Sequence, residues 1–186
     1  MITVLLLTLL VACVEAHYHI HDWNSMGNKD LAAGGGKDSS CDDAKIYSYH
    51  IHVLFWQNSA VHTASAMNLR DQFIKEFDLY NKNCTMDAGD PAPGHEMCVF
   101  EVDWQPAGPF TTAQYSFFIP PELLQKTSIW MLQHRRIHDV FIHPNSGCET
   151  NDHTKWYTFS GSKWPIDASI FTCDYPGCKP SLAGEY

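Results

Sequence analysis

The stretch IYSYHIHVLFW, Ile46 to Trp56, decides the fold. Tyr47, Tyr49, Ile51, Val53 and Phe55 fall on one face of an extended chain, and Ser48, His50, His52, Leu54 and Trp56 on the other. A period of two is the signature of a strand. His50 and His52 then point the same way, about 6–7 Å apart along the strand. From that spacing two imidazoles can converge on one ion.

A second stretch, IHPNSGCETNDHTKW (Ile142 to Trp156), complements the first. It places His143 at the end of a short apolar run and Glu149, Asp152 and His153 in a polar loop. Between the two stretches the pattern alternates in period. Ser59 suits the cap of a helix over residues 60–80, with Ala66, Leu69, Phe73, Ile74 and Phe77 as its buried stripe. Residues 81–95 read as a loop, and 97–104 as a second strand. Residues 105–112, with two prolines and a glycine, turn the chain into a third strand over 113–119. Pro120 and Pro121 open a second helix whose apolar face is Leu123, Leu124, Trp130 and Leu132. Arg135 and Arg136 suit its carboxyl end. A fourth strand follows over 139–143, and the remainder reads as loop. The order β-α-β-β-α-β is that of an α+β, ferredoxin-like sandwich, here with a loop-rich C-terminal extension.

This topology makes the first and fourth strands antiparallel neighbours, which brings His143 towards Ser48–His50. If the helices cover Ile51, Val53 and Phe55, then His50, His52 and Trp56 lie on the open face. Such a face needs a cover. The chain after residue 150, or a second copy in a homodimer, is expected to supply it.

The chain has 186 residues. Residues 1–16 read as a secretory signal, with the apolar run ITVLLLTLLVA followed by Val14-Glu15-Ala16. The run is too short for a membrane span. Residues 17–45 then form a flexible N-terminal segment, 46–165 the folded domain and 166–186 a cysteine-containing tail. The formal charge is −9 at pH 7, and loss of Glu15 takes it to −8. Such acidity argues against nucleic acid or an anionic membrane as partner. Loss of Cys13 leaves Cys41, Cys84, Cys98, Cys148, Cys173 and Cys178, an even set that reads as disulfides in a secreted chain. The pairing stays open. The topology brings Cys148 towards Cys41, Cys84 and Cys98 flank one loop, and Cys173 and Cys178 flank another. After cleavage, His17 and His19 could chelate copper, although a solvated polar tail is the simpler reading.

The segments YHIHVLFW, PGHEM, PPELLQKTSIWMLQHRR and DVFIHPNSGCETNDHTKW stand in this order across Tyr47 to Trp164. Together they resemble the DOPA 4,5-dioxygenase-like family. The resemblance implies a ferredoxin-like domain and extradiol cleavage of a catechol such as DOPA by O₂ at a non-haem metal. Carried over by motif, the metal and active-site histidines are His50, His52, His95, His143 and His153. The chain departs from the family pattern at Pro93-Gly94-His95-Glu96 and near Cys148-Glu149.

Extradiol chemistry needs a metal with open cis positions, which two or three histidines and at most one carboxylate leave. His50, His52 and His143 are the expected ligands and Glu149 the expected carboxylate. Fe(II) is the expected metal, with Zn or Cu as alternatives. His95 and His153 are the expected acid/base groups, because imidazole titrates near working pH. Asp152 would orient a histidine. Arg135, Tyr115 and Trp156 are candidates for holding substrate, although helix-end charge and core filling explain the same residue types. His62, His134 and His138 read as surface residues. The alternative function is a secreted metal- or small-molecule-binding protein that retains the fold without oxygenase activity.

Overall fold

The computed structural model describes residues 44–84, 96–146 and 148–171. His17, His19, Cys41, His95, Cys173, Cys178 and the signal segment lie outside them. Strand β1 is Ser48–Phe55, followed by helix α1 (Ala60–Glu76), β2 (Cys98–Val99) and β3 (Ala113–Ile119). A single 3₁₀ turn, Pro121–Leu123, leads into α2 (Leu124–His134). Then come β4 (Asp139–Asn145), α3 (Glu149–Thr154) and β5 (Thr158–Ser160). The sheet order is β2-β3-β1-β4-β5, with every neighbouring pair antiparallel. The ferredoxin-like order is thus present, extended by a fifth strand on the β4 edge.

The alternation of β1 divides the molecule into two sides. Ile51, Val53 and Phe55 join Tyr115, Phe117, Ile119, Val140 and Ile142 in the core beneath the helices. From α1, Ala66, Leu69 and Phe73 pack onto this face, and from α2, Met131. The Phe73 ring stacks on Phe117 at 4.0 Å. Complete burial of one such side chain stabilises by about 1.5–3 kcal/mol. Ser59 caps α1, accepting from the His62 amide. The helix ends at Glu76 rather than running to Tyr80, because Asp78 and Asn81 adopt positive φ (51° and 62°), which a right-handed helix cannot continue. On α2 the fully buried residues are Thr127 and Met131, while Leu132, expected on the apolar face, is half exposed.

β2 is much shorter than the strand expected over 97–104. Cys98 and Val99 pair with Phe118 and Phe117, and the ladder resumes only at Asp103 opposite Gln114. Four residues on the β2 side therefore span three on β3, which is a bulge. The extra residue moves Asp103 onto the face of Gln114 and ends regular pairing.

The segment after residue 148, expected to be loop, forms α3 and β5. β5 pairs Val140 with Ser160 and Ile142 with Thr158. Asp139 anchors it, accepting from the Ser162 amide and from Trp164 Nε1. The expected cover of the open face is present: Tyr157, Phe159, Trp164 and Ile166 pack on Leu54, Phe110 and Phe141. Cys84 and Cys98 are disulfide-bonded. Cys148 is also disulfide-bonded, to a partner outside the described residues.

Three histidines differ from expectation. His138 is not a surface residue but 1% exposed, because it shares the inward parity of Val140 and Ile142. His62 is partly buried against it. His134 is also partly covered, its ring stacked on Trp130 at 4.1 Å. Burial, then the neighbouring His62, pushes His138 down to about 4. The unfolded chain therefore binds more protons at this position between about pH 6.5 and 4, so stability rises with pH across that window. Metal-free protein should lose about 1–2 kcal/mol between pH 7 and 5 from this residue alone, after allowance for solvent screening. Urea denaturation of wild type and His138→Gln at both pH values checks this. Equal pH slopes in the two chains would contradict it.

Candidate metal centre

β1 and β4 place His50 directly opposite His143, and β1 carries His52 two residues on. All three are buried, at 8%, 6% and 2% exposure. Each offers a ring nitrogen such that the three atoms lie within 4.8 Å of one another. The ring centroids are 5.6 Å apart for His50–His52, 5.1 Å for His50–His143 and 5.2 Å for His52–His143.

The hydrogen bonds fix where the ring protons sit. His143 Nδ1 lies 2.8 Å from the Pro144 carbonyl oxygen, which can only accept, so Nδ1 donates. His52 Nδ1 lies 2.9 Å from Gln114 Oε1. The Gln114 amide cannot turn round, because its NH₂ group donates to the Asp103 carboxylate. His52 Nδ1 is therefore also a donor. In the neutral rings both Nε2 atoms then carry bare lone pairs, and they face each other at 3.1 Å. Two acceptors at that distance repel unless a cation lies between them. A proton is a poor candidate. Burial, then the neighbouring imidazoles, holds His52 and His143 well below the usual histidine range. A metal ion fits: cis ligands at about 2.1–2.2 Å from one ion stand roughly 3.0–3.4 Å apart.

The surroundings are apolar. His50 packs edge-on against Phe100 at 5.2 Å and Phe118 at 6.2 Å. His52 lies 4.5 Å from Phe110. The Cys84–Cys98 disulfide packs with Phe100 and Phe118 and so backs this wall.

His153 arrives from α3, its ring 3.9 Å from that of His143 and 4.6 Å from Phe171. Its Nδ1 donates to the Glu149 backbone carbonyl at 2.9 Å, which leaves the lone pair at Nε2. Glu149 is not among the three clustered ligands; its carboxylate lies 3.6 Å from His153 Nδ1. Asp152, fully buried, accepts from the amide and hydroxyl of Ser146 and ties down the turn after β4.

Of the three residues expected to hold substrate, Tyr115 and Arg135 are placed elsewhere. Tyr115 lies in the helix-covered core with its hydroxyl donating to Ala66 O, because its parity on β3 is opposite to that of Gln114. That face corrects the substrate reading. Arg135 donates to His138 O and closes the turn after α2. Trp156 lines a cavity of about 270 Å³ together with Tyr49, Leu124, Leu132 and the metal-centre residue His143. The residues missed in the sequence are Gln114 and Asp103. Once β3 is registered against β1, Gln114 falls opposite Leu54, on the histidine side. Asp103 reaches it only through the bulge, which no periodicity reveals.

Comparison with known proteins agrees with this picture. A family model described as the Dopa 4,5-dioxygenase family matches residues 49–170. A DOPA 4,5-dioxygenase from Amanita muscaria is 24% identical over 147 residues, covering 77% of this chain. The match spans 59% of that relative's own length. A crystal structure of a candidate dioxygenase from Nostoc punctiforme matches with a TM-score of 0.51 at 19% identity, over 69% of this chain and 92% of that one. At that identity the likeness is one of fold. With the family model spanning most of the folded region, the chain belongs to the Dopa 4,5-dioxygenase family.

Proposed function

We propose that the chain is an extradiol ring-cleaving dioxygenase acting on a catechol such as DOPA, with a non-haem metal held by His50, His52 and His143. One observation carries the reading: the Nε2 atoms of His52 and His143 face each other at 3.1 Å with both outer nitrogens committed as donors. Such a pair is built to receive a cation. A bound Fe(II) would supply open positions for a catecholate and O₂ and the electron that makes O₂ reactive.

The protein's own contribution is charge, dryness and proton handling. Three neutral imidazoles bring no negative charge, so the ion keeps its attraction for an anionic catecholate. The aromatic shell excludes water and strengthens that attraction. His153 Nε2 is the proposed proton acceptor for a phenolic hydroxyl. Its Nδ1–H is held by the Glu149 carbonyl, and the nearby Glu149 carboxylate favours the charged ring once the proton has arrived. His95 remains a proposed partner in this step on the motif alone. Secretion is supported by the Cys84–Cys98 disulfide, which suits an oxidising compartment.

Purified chain loaded anaerobically with Fe(II) should consume O₂ with DOPA and form a yellow semialdehyde product. An oxygen electrode and absorbance spectra read this. Bound metal with no oxygen uptake across several catechols would instead favour metal binding without oxygenase chemistry. His153→Gln should retain the metal but lower kcat by about 100-fold or more; loss of metal and activity together would place His153 in the ligand set instead. Gln114→Leu should weaken metal affinity by about 10–100-fold through loss of the His52 orientation. Unchanged affinity in a chelator competition would show that the Asp103–Gln114–His52 relay does not act on the metal.

A further inference from the structure

A second pair of histidines lies on the helix-covered side of the sheet. His138 immediately precedes β4 and shares the parity of Val140 and Ile142, opposite to that of His143. His62 lies in the first turn of α1. Their ring centroids are 5.7 Å apart with the planes at 89°. His138 is 1% exposed, and its Nε2 meets Ser65 Oγ at 2.9 Å. Its Nδ1 and the Nδ1 of His62 are both buried, and neither has a hydrogen-bond partner among the described residues. Unsatisfied buried polar atoms are uncommon in folded proteins. Here two neighbouring imidazoles each keep one.

We propose that His62 and His138 form a second metal site, for a borderline divalent cation such as Zn²⁺, separate from the three-histidine centre. With both Nδ1 atoms turned to one ion at about 2.0 Å, each centroid would stand about 3.1 Å from it, and their separation would correspond to an angle of roughly 130° at the metal. That lies between tetrahedral and linear. His62 is partly exposed and gives water access. Ser65 holds the other ring in place. The neighbouring Asp139 carboxylate is engaged with Ser162 and Trp164, so the site is one of two neutral imidazoles. It binds more weakly than the three-histidine centre, and Cu²⁺ more tightly than Zn²⁺. The ion would clamp the start of α1 to the start of β4. The proposal does not depend on dioxygenase activity.

The test is a competition titration of the full, chelator-stripped chain with Zn²⁺ against a chromophoric chelator. It compares wild type, His62→Gln, His143→Gln and the double variant. Using differences cancels any uptake by other histidines of the chain. His62→Gln should take up one ion fewer than wild type. The double variant should lose two. Zn²⁺ should raise the Tm of His143→Gln but not of the double variant. On the wild-type chain, Zn²⁺ should also protect His62 from diethylpyrocarbonate, read by peptide mass mapping, so the outcome does not hang on a variant folding. Equal zinc uptake by wild type and His62→Gln, or unprotected His62 at saturating Zn²⁺, would overturn the site and leave a bridging water as the partner of the two nitrogens.

Discussion

Everything at the candidate centre depends on the register between β1 and β4. His50 stands opposite His143, and His52 opposite Phe141. A slip of one residue would send the histidines under the helices and Ile51 and Val53 out of the core. The register is therefore held by the apolar face, while the polar face uses it. Nine core side chains from β1, β3 and β4 on one side position three imidazoles on the other. The two functions of the sheet, packing and assembly of the site, cannot be changed independently.

A second constraint acts on the protons. Three buried imidazoles in an aromatic shell are costly unless each ring nitrogen has a task. The Pro144 carbonyl and the Gln114 amide take the Nδ1 protons of His143 and His52. The Asp103 carboxylate in turn prevents the Gln114 amide from reversing. This last link exists because a one-residue bulge after β2 shifts Asp103 to the histidine side. The bulge costs ladder pairing and supplies orientation, which is how such irregularities often serve sites. The Cys84–Cys98 bridge ties Cys84 to the first residue of β2 and so steadies the Phe100 wall.

The regular half of the molecule was legible in the sequence. β1, α1, β3 and β4 announce themselves by period, and β3 spans Ala113–Ile119 as expected. The pairing of β1 with β4 followed from topology, and with it the approach of His143 to His50. What stayed hidden was local. β5 has three residues and α3 six, too short for a period to show. Their polar sequence is held by packing against β4 rather than by propensity. Glu149 looked like a ligand because it follows His143 in a polar stretch with His153, but the helical turn directs it to His153. Tyr115 looked like a stacking surface because residue type was read without parity. His138 looked exposed because it sits beside Arg135 and Arg136, whereas its depth is set by the strand that follows.

The central claim is that a cation belongs between the Nε2 atoms of His52 and His143. An anomalous-scattering crystal structure of the metal-loaded chain tests it most directly. The account predicts a peak within bonding distance of both Nε2 atoms and of a His50 ring nitrogen, with the Gln114 and Pro144 contacts unchanged. A metal-loaded crystal with no peak there, and with either ring rotated so that one Nε2 finds a donor, would contradict it.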